Sequence, residues 1–215
     1  MTQQQLLNRA GVVDKHIPSA YWPTVSALVS WSAFNAGMAR TGVGLVGQLA
    51  TPAGWGELQR ALGLDSYDAT EAGALSLTSA AVATSIDLAA AAALRLAGAV
   101  PPPGGWEFSM TTLTSNKKLL AAHPLTPSLG TWATTVSSSP EWDLLKKCRN
   151  QMVHRTVSRI VYGTSGATRL PSSEVKIDGN DHSIDVLVHA FSAFGETTFE
   201  KFCDAVLADF PAEVR

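Results

Sequence analysis

Residues 68–98 read DATEAGALSLTSAAVATSIDLAAAAALRLAG, and their periodicity decides the fold class. Leu75, Val82, Ile86, Ala89, Ala93, Leu96 and, just beyond, Val100 recur at spacings of three, four and seven, the apolar stripe of an α-helix. Alanine reinforces it, because its side chain loses no rotamer freedom on entering a helix. Asp68 is placed to cap the first turn. Pro101–Pro103 with Gly104 and Gly105 stop the helix. Ala72–Val100 and the uncharged Ile17–Ala39 are both apolar enough to raise the question of a membrane. Asp87 at the centre of the first, and Pro18, Pro23 and Asn35 in the second, argue against spanning, since a mid-membrane carboxylate is costly. Both are expected to be buried or half-buried helices, with no membrane partner.

Outward from this stretch the helical reading continues. A short helix or arm is expected over residues 1–20, and a helix from Pro23 to about Arg40. Ala33, Ala36, Gly37 and Ala39 would let another helix come close. The glycine-rich segment that follows holds a literal GxGxxG at Gly42, Gly44 and Gly47, with Asp65 near the distance of a ribose-binding acid. A dinucleotide fingerprint needs a strand before it and a helix after it, and neither pattern is present. The segment is therefore read as a turn or a close helix contact. Short helices are expected at Ser115–Ala122 and Pro127–Val136. Ser139-Pro140-Glu141 opens another, which Gly163 and Gly166 close. Residues 164–182 read as a loop, with a short hairpin around Val175–Ile177 and the Asp178-Gly179-Asn180 turn. The last helix runs from about Ile184 to Phe210, with Leu187, Val188, Phe191, Phe194, Phe199, Phe202, Val206, Leu207 and Phe210 as its buried stripe. Long helical patterns without a convincing set of strands make the chain all-α, in the manner of a bundle.

The 215 residues fit a single domain with its own core. Cys148 and Cys203 form no CxxC pair and no disulfide framework, which fits a reducing compartment. The first residues lack the basic start and apolar core of a signal peptide. The expectation is a cytoplasmic protein. The formal charge of −2 predicts no general attraction to nucleic acid. Its distribution says more. Leu144–Ser173 holds six basic residues and no acidic one, which leaves the rest of the chain at −8. Such a basic run is either a phosphate footprint or a solvated helix flank.

Within that run lies the one local combination that resembles chemistry, in EWDLLKKCRNQMVHRTVSRIVYG, residues 141–163. On a helical wheel Trp142, Leu145, Met152, Val153, Thr156 and Ile160 share one face, and Arg149 falls within it. Asn150 and His154 stack at its border as i, i+4 neighbours. Lys146 lies near the other edge, with Arg155 and Arg159 further round. A charge among core positions must be paired or must open into a polar cleft. Either Arg149 pairs with an acid on a neighbouring helix, Asp87 being best placed, or this face lines a cleft or interface in which Arg149 binds an anion. Arginine offers a planar fork to phosphate, histidine transfers protons near neutrality, and asparagine can orient either. Metal-free RNA cleavage needs those functions.

Arg149-Asn150-Gln151-Met152-Val153-His154 resembles the R-x(4–6)-H motif of the HEPN superfamily, including the polar residue directly after the arginine. The resemblance implies an up-and-down α-helical bundle that forms a homodimer, with the motifs of both subunits lining one cleft. It further implies a metal-independent ribonuclease, a hydrolase of toxin–antitoxin, anti-phage or RNA-processing systems, without cofactor. By carry-over Arg149 holds phosphate, His154 transfers protons and Asn150 supports them as catalytic residues. Lys146, Lys147, Arg155 and Arg159 would bind the RNA substrate, and an antitoxin or regulatory protein is a possible partner. The HEPN-like core would be residues 67–100 and 141–210 of one domain spanning 1–215. Residues 1–66 would be an N-terminal helical elaboration, and 101–140 an irregular Pro/Ser/Thr-rich insertion. The alternative is a non-catalytic helical interaction module, or a nucleotide-binding one, in which Arg149 forms a structural ion pair.

Other chemistry is weaker. His182 and His189, with Asp181 and Asp185, fit no known metal-ligand spacing, so no metal site is expected. Cys148 lies toward the apolar side of its helix and reads as an inert core thiol. The six tryptophans are scattered and read as core or interface residues rather than a base-stacking platform.

Overall fold

A computed structural model describes residues 1–63, 67–103, 105, 107–153 and 172–212. The described chain is predominantly helical. In order it comprises α1 (Gln3–Asp14), α2 (Trp22–Leu49), α3 (Pro52–Leu62), α4 (Tyr67–Leu96), α5 (Met110–Ser115), α6 (Lys117–Ala122), α7 (Pro127–Ser137) and α8 (Pro140–Val153). A hairpin of β1 (Glu174–Ile177) and β2 (Asn180–Ser183) follows, and then α9 (Ile184–Asp209). The hairpin pairs Val175 with His182 and Lys176 with Asp181 across the expected Asp178-Gly179 turn. Both turn residues have positive φ, 50° and 85°.

The helix α4 forms the centre. Its stripe from Leu75 to Leu96 is buried, and Ala89–Ala93 is covered on every side, as suits a helix that is apolar all round. By length and composition α4 could cross a membrane, but most of it is buried within the protein. It begins at Tyr67, so position 68 lies in its first turn rather than ahead of it. Its far end is a Schellman stop. Gly98 takes φ 81°, its N–H donates to Arg95 O, and Ala99 N donates to Leu94 O. Val100 therefore falls beyond the helix and is exposed, outside the stripe the periodicity assigned it to.

The helix expected to end near Arg40 runs on to Leu49, straight through the glycine-rich segment. The reason is contact with α4. A Cβ at position 42 would stand 1.9 Å from Thr78 Oγ1 and 2.9 Å from Ala74 O, so only glycine lets the two backbones meet there. Ten residues earlier, Ser32 Oγ donates to Ser85 O at 2.8 Å and Ser85 Oγ donates back to Ser32 O at 2.9 Å. These contacts run antiparallel along both helices. The three glycines cost up to about 1 kcal/mol each in helix propensity, and tertiary packing outweighs that cost. The GxGxxG therefore lies within a helix, and at Gly42 it is the close helix contact.

The last helix, α9, packs on α4, α2 and α7. Phe191, Phe199 and Phe202 are buried, and Gly195 sits where a Cβ would press within 2.9 Å of Val82. Arg40 Nε donates to Glu196 Oε1 at 2.5 Å, linking α2 to α9. Asp209, at the end of α9, serves α7 as a distant cap. It accepts the Thr126 hydroxyl at 2.5 Å and the N–H groups of Ser128 and Leu129 at 3.0 and 3.1 Å. Burial raises the pKa of this carboxyl, but those hydrogen bonds outweigh it and hold the group below its ordinary range.

Two predictions follow from this packing. Gly42→Ala should destabilise the protein by about 1–3 kcal/mol through overpacking. Gly44→Ala, where a Cβ meets nothing within 4 Å, should be neutral or stabilising; urea denaturation of both compares them directly. Asp209→Ala should cost about 1 kcal/mol at neutral pH, as for loss of a helix cap. Because the folded carboxyl titrates below its unfolded value, its contribution is present above the unfolded pKa and lost as pH falls through the folded one. Parent and variant melting curves should therefore converge in acid.

Candidate functional site

The helix bearing the motif opens as its sequence implies. Pro140 begins α8, Glu141 and Asp143 lie in its positive first turn, and Ser139 Oγ accepts the Trp142 N–H at 3.1 Å. Trp142, Leu145 and Cys148 form the buried face. Cys148 is the inert thiol expected, with burial pushing its pKa up to about 12.

Arg149 departs from the wheel. Its side chain is 51% exposed, at the rim of the α8–α4 contact rather than beneath it. Cys148 occupies the buried position instead, and the long arginine stem carries its charge out to water. The guanidinium stands beside the acid that sequence singled out, with Nη1 3.9 Å from Asp87 Oδ2. That separation is at the outer limit of an ion pair and, among the described residues, leaves most of the fork unengaged. Asp87 has a firmer bond elsewhere: Oδ1 accepts the Met110 N–H at the start of α5, at 2.9 Å. Burial raises the Asp87 pKa, opposed by the Met110 N–H and by the charge of Arg149. One half-buried carboxylate thus joins α4, α5 and α8. Asn150 is exposed next to Arg149.

The lysines before the motif are held by acids. Lys147 Nζ lies 2.8 Å from Asp143 Oδ2 and 2.7 Å from Asp178 Oδ2 in the hairpin turn. Hydrogen bonds to these two carboxylates raise its pKa above the ordinary lysine range. Lys146 Nζ is 3.7 Å from Asp143 and 5.9 Å from the Trp142 ring centroid. Gln151 donates its side-chain N–H to Lys176 O, so the hairpin is bonded to α8 at two points. The two lysines of the basic run are therefore held by acids that lie outside the run in sequence. Asp143 was legible as an i, i+4 partner of Lys147. The docking of Asp178 was not, because a hairpin turn gives no sign of which helix it will meet. His154, Arg155 and Arg159 lie outside the described residues.

Two other stretches were weighed for chemistry. His189 Nδ1 lies 2.9 Å from Asp185 Oδ1 within α9, while His182 sits in β2. Among the described residues no group of three or more His, Cys, Asp or Glu side chains is gathered as metal ligands. Of the tryptophans, Trp132 and Trp142 are buried, whereas Trp22 and Trp31 are exposed. A cavity of about 380 Å³ between α5, α6 and α7 is lined by Leu113, Leu120, Leu125 and small hydroxyl residues. No family model, no curated protein and no solved structure matches the chain.

The Asp87 junction makes its own prediction. Asp87→Asn keeps an acceptor for the Met110 N–H and removes a partly buried charge, so stability at neutral pH should be unchanged or slightly higher. Asp87→Leu leaves that N–H without a partner and should cost about 1–3 kcal/mol. Since the folded carboxyl titrates above its unfolded value, its contribution is present at low pH and lost as pH rises through the folded pKa. Denaturation of Asp87→Asn across the acid range should remove that dependence.

Proposed function

We propose that the chain is a HEPN-type, metal-independent endoribonuclease that works as a homodimer, with RNA held in a cleft between the motifs of two copies. The observation that carries this reading is the half-exposed Arg149, whose guanidinium is free enough of Asp87 to meet an anion. In this mechanism a base takes the proton of the 2′-hydroxyl, whose oxygen attacks phosphorus. The P–O5′ bond breaks, and O5′ receives a proton. The products are a 2′,3′-cyclic phosphate and a free 5′-hydroxyl. Arg149 stabilises the charge that develops on the phosphorane, His154 transfers protons and Asn150 orients them. Lys146, Arg155 and Arg159 would line the RNA path; Lys147 joins them only by exchanging Asp143 and Asp178 for phosphate. Toxin, anti-phage or RNA-processing roles in the cytoplasm, with an antitoxin or regulatory partner, belong to this reading.

The approach of Arg149 to Asp87 favours a second reading, a non-catalytic interaction or nucleotide-binding module in which the pair is structural. One pair of variants separates them. In the ribonuclease reading, purified protein cleaves RNA in the presence of EDTA. Arg149→Ala and His154→Ala then each lower cleavage by about 100-fold or more, and Arg149→Ala changes stability by less than about 1 kcal/mol, as for an exposed pair. A parent inert toward RNA, or an Arg149→Ala variant destabilised by several kcal/mol, would decide for the second reading.

A further inference from the structure

The buried side of α2 accounts for its contacts with α1, α4 and α9, but the helix has a second stripe on its outer side. Ala27, Trp31, Phe34, Met38, Thr41 and Leu45 recur at alternating spacings of four and three. That is the spacing of a coiled-coil seam, and it is filled without a charged residue, where a solvated helix flank would carry charged and polar side chains. At 1.5 Å per residue it runs for about 27 Å. Ala27, Trp31, Phe34 and Thr41 are exposed, and Met38 and Leu45 are half-buried. Trp31 is 59% and Phe34 36% exposed, and their rings pack edge to face with centroids 5.5 Å apart. Ser30 and Gly44 flank the seam with little bulk.

We infer that this outer face of α2 is an interface with a second copy of the chain, packed helix against helix across a two-fold axis. Three observations select a copy over other occupants. First, the seam carries no charge, and the first charged residue along the helix, Arg40, is engaged by Glu196 of its own chain. A two-fold interface brings a face against itself, so a face with charge of one sign would repel its mate. Second, the face is self-complementary in hydrogen bonding. Asn35 donates its amide N–H to Trp31 O at 2.8 Å, which leaves its amide oxygen as an acceptor. Among the described residues the Trp31 indole N–H has no acceptor. Each copy thus brings the Trp31 indole N–H as a donor and the Asn35 amide oxygen as an acceptor, and two-fold pairing can join the one to the other. Third, an amphipathic helix that lies on a lipid surface carries a strongly charged polar face rich in Lys and Arg, which α2 lacks. The interface is separate from α8, which packs on α4, α7, α9 and β1, so a particle that also pairs its α8 motifs would hold four chains. It holds whether or not the chain cuts RNA.

Sedimentation velocity of the full chain at micromolar concentration tests it. The native particle should have at least twice the 22.7 kDa chain mass. Trp31→Glu combined with Phe34→Glu should halve that mass, with an unchanged helical circular dichroism signal. Trp31→Phe should keep it. Should the double variant fail to fold, Ala27→Glu, at an exposed and small position, should give the same halving. Arg149→Ala, the variant that tests cleavage, should leave the mass untouched, and a double variant that keeps the native mass while the native chain cuts RNA in EDTA overturns the α2 interface alone. A monomeric native chain, a double variant of native mass, or a native chain that binds anionic vesicles without self-associating overturns the inference.

Discussion

At Gly42 the backbone of α2 comes so close to α4 that a single methyl group would collide with Thr78 and with the Ala74 carbonyl. Much of the structure depends on that approach. The reciprocal Ser32–Ser85 hydrogen bonds satisfy two hydroxyls that the close contact seals from water, where an unpaired polar group would be costly. With α2 pressed on one side and α9 on another, where Gly195 admits Val82, the alanine run of α4 is covered all round. Alanine suits this position because neighbours on every side leave little volume for larger side chains.

Asp87 is the place where this apolar centre admits a charge. It stands just before the alanine run, where α5 begins and α8 passes. The carboxylate is retained through a backbone N–H and a nearby guanidinium. Burial works against its ionisation while those two groups favour it. Arg149 is tied to the fold loosely enough to remain a surface group, and an arginine in that position can serve a ligand without unfolding the helix that carries it. The lysines one turn earlier have the opposite character. Asp143 and Asp178 hold Lys147 from two sides, so its charge contributes to docking the hairpin on α8.

Helix positions were largely legible because they depend on local patterns. The stripes of α4 and α9, the prolines that open α2, α7 and α8, and the Asp178-Gly179 turn all act within a few residues, whereas α3, which Pro52 opens, is a helix the sequence reading did not expect. The failures were tertiary in origin. The glycine-rich segment reads as a turn or a close helix contact, and only the facing Thr78 decides for the contact and explains why the helix continues past Arg40. Arg149 was placed in the core because a wheel assigns a direction to each Cα but not a length to each side chain. Asp87 was picked out correctly as its neighbour, since a lone acid in an apolar stripe must find something polar.

By itself, then, the sequence determined that the chain is predominantly helical and approximately where each long helix lies, because periodicity, capping and turn chemistry operate over one or two turns. It also offered Arg149, Asn150 and His154 as candidates for chemistry. Only the tertiary structure decided that Gly42 is a contact point, that Asp209 caps a helix some eighty residues away, and that Asp178 of the hairpin turn reaches Lys147. Those outcomes depend on which helix faces meet. Facing is set by packing among elements distant in sequence, which no local pattern encodes.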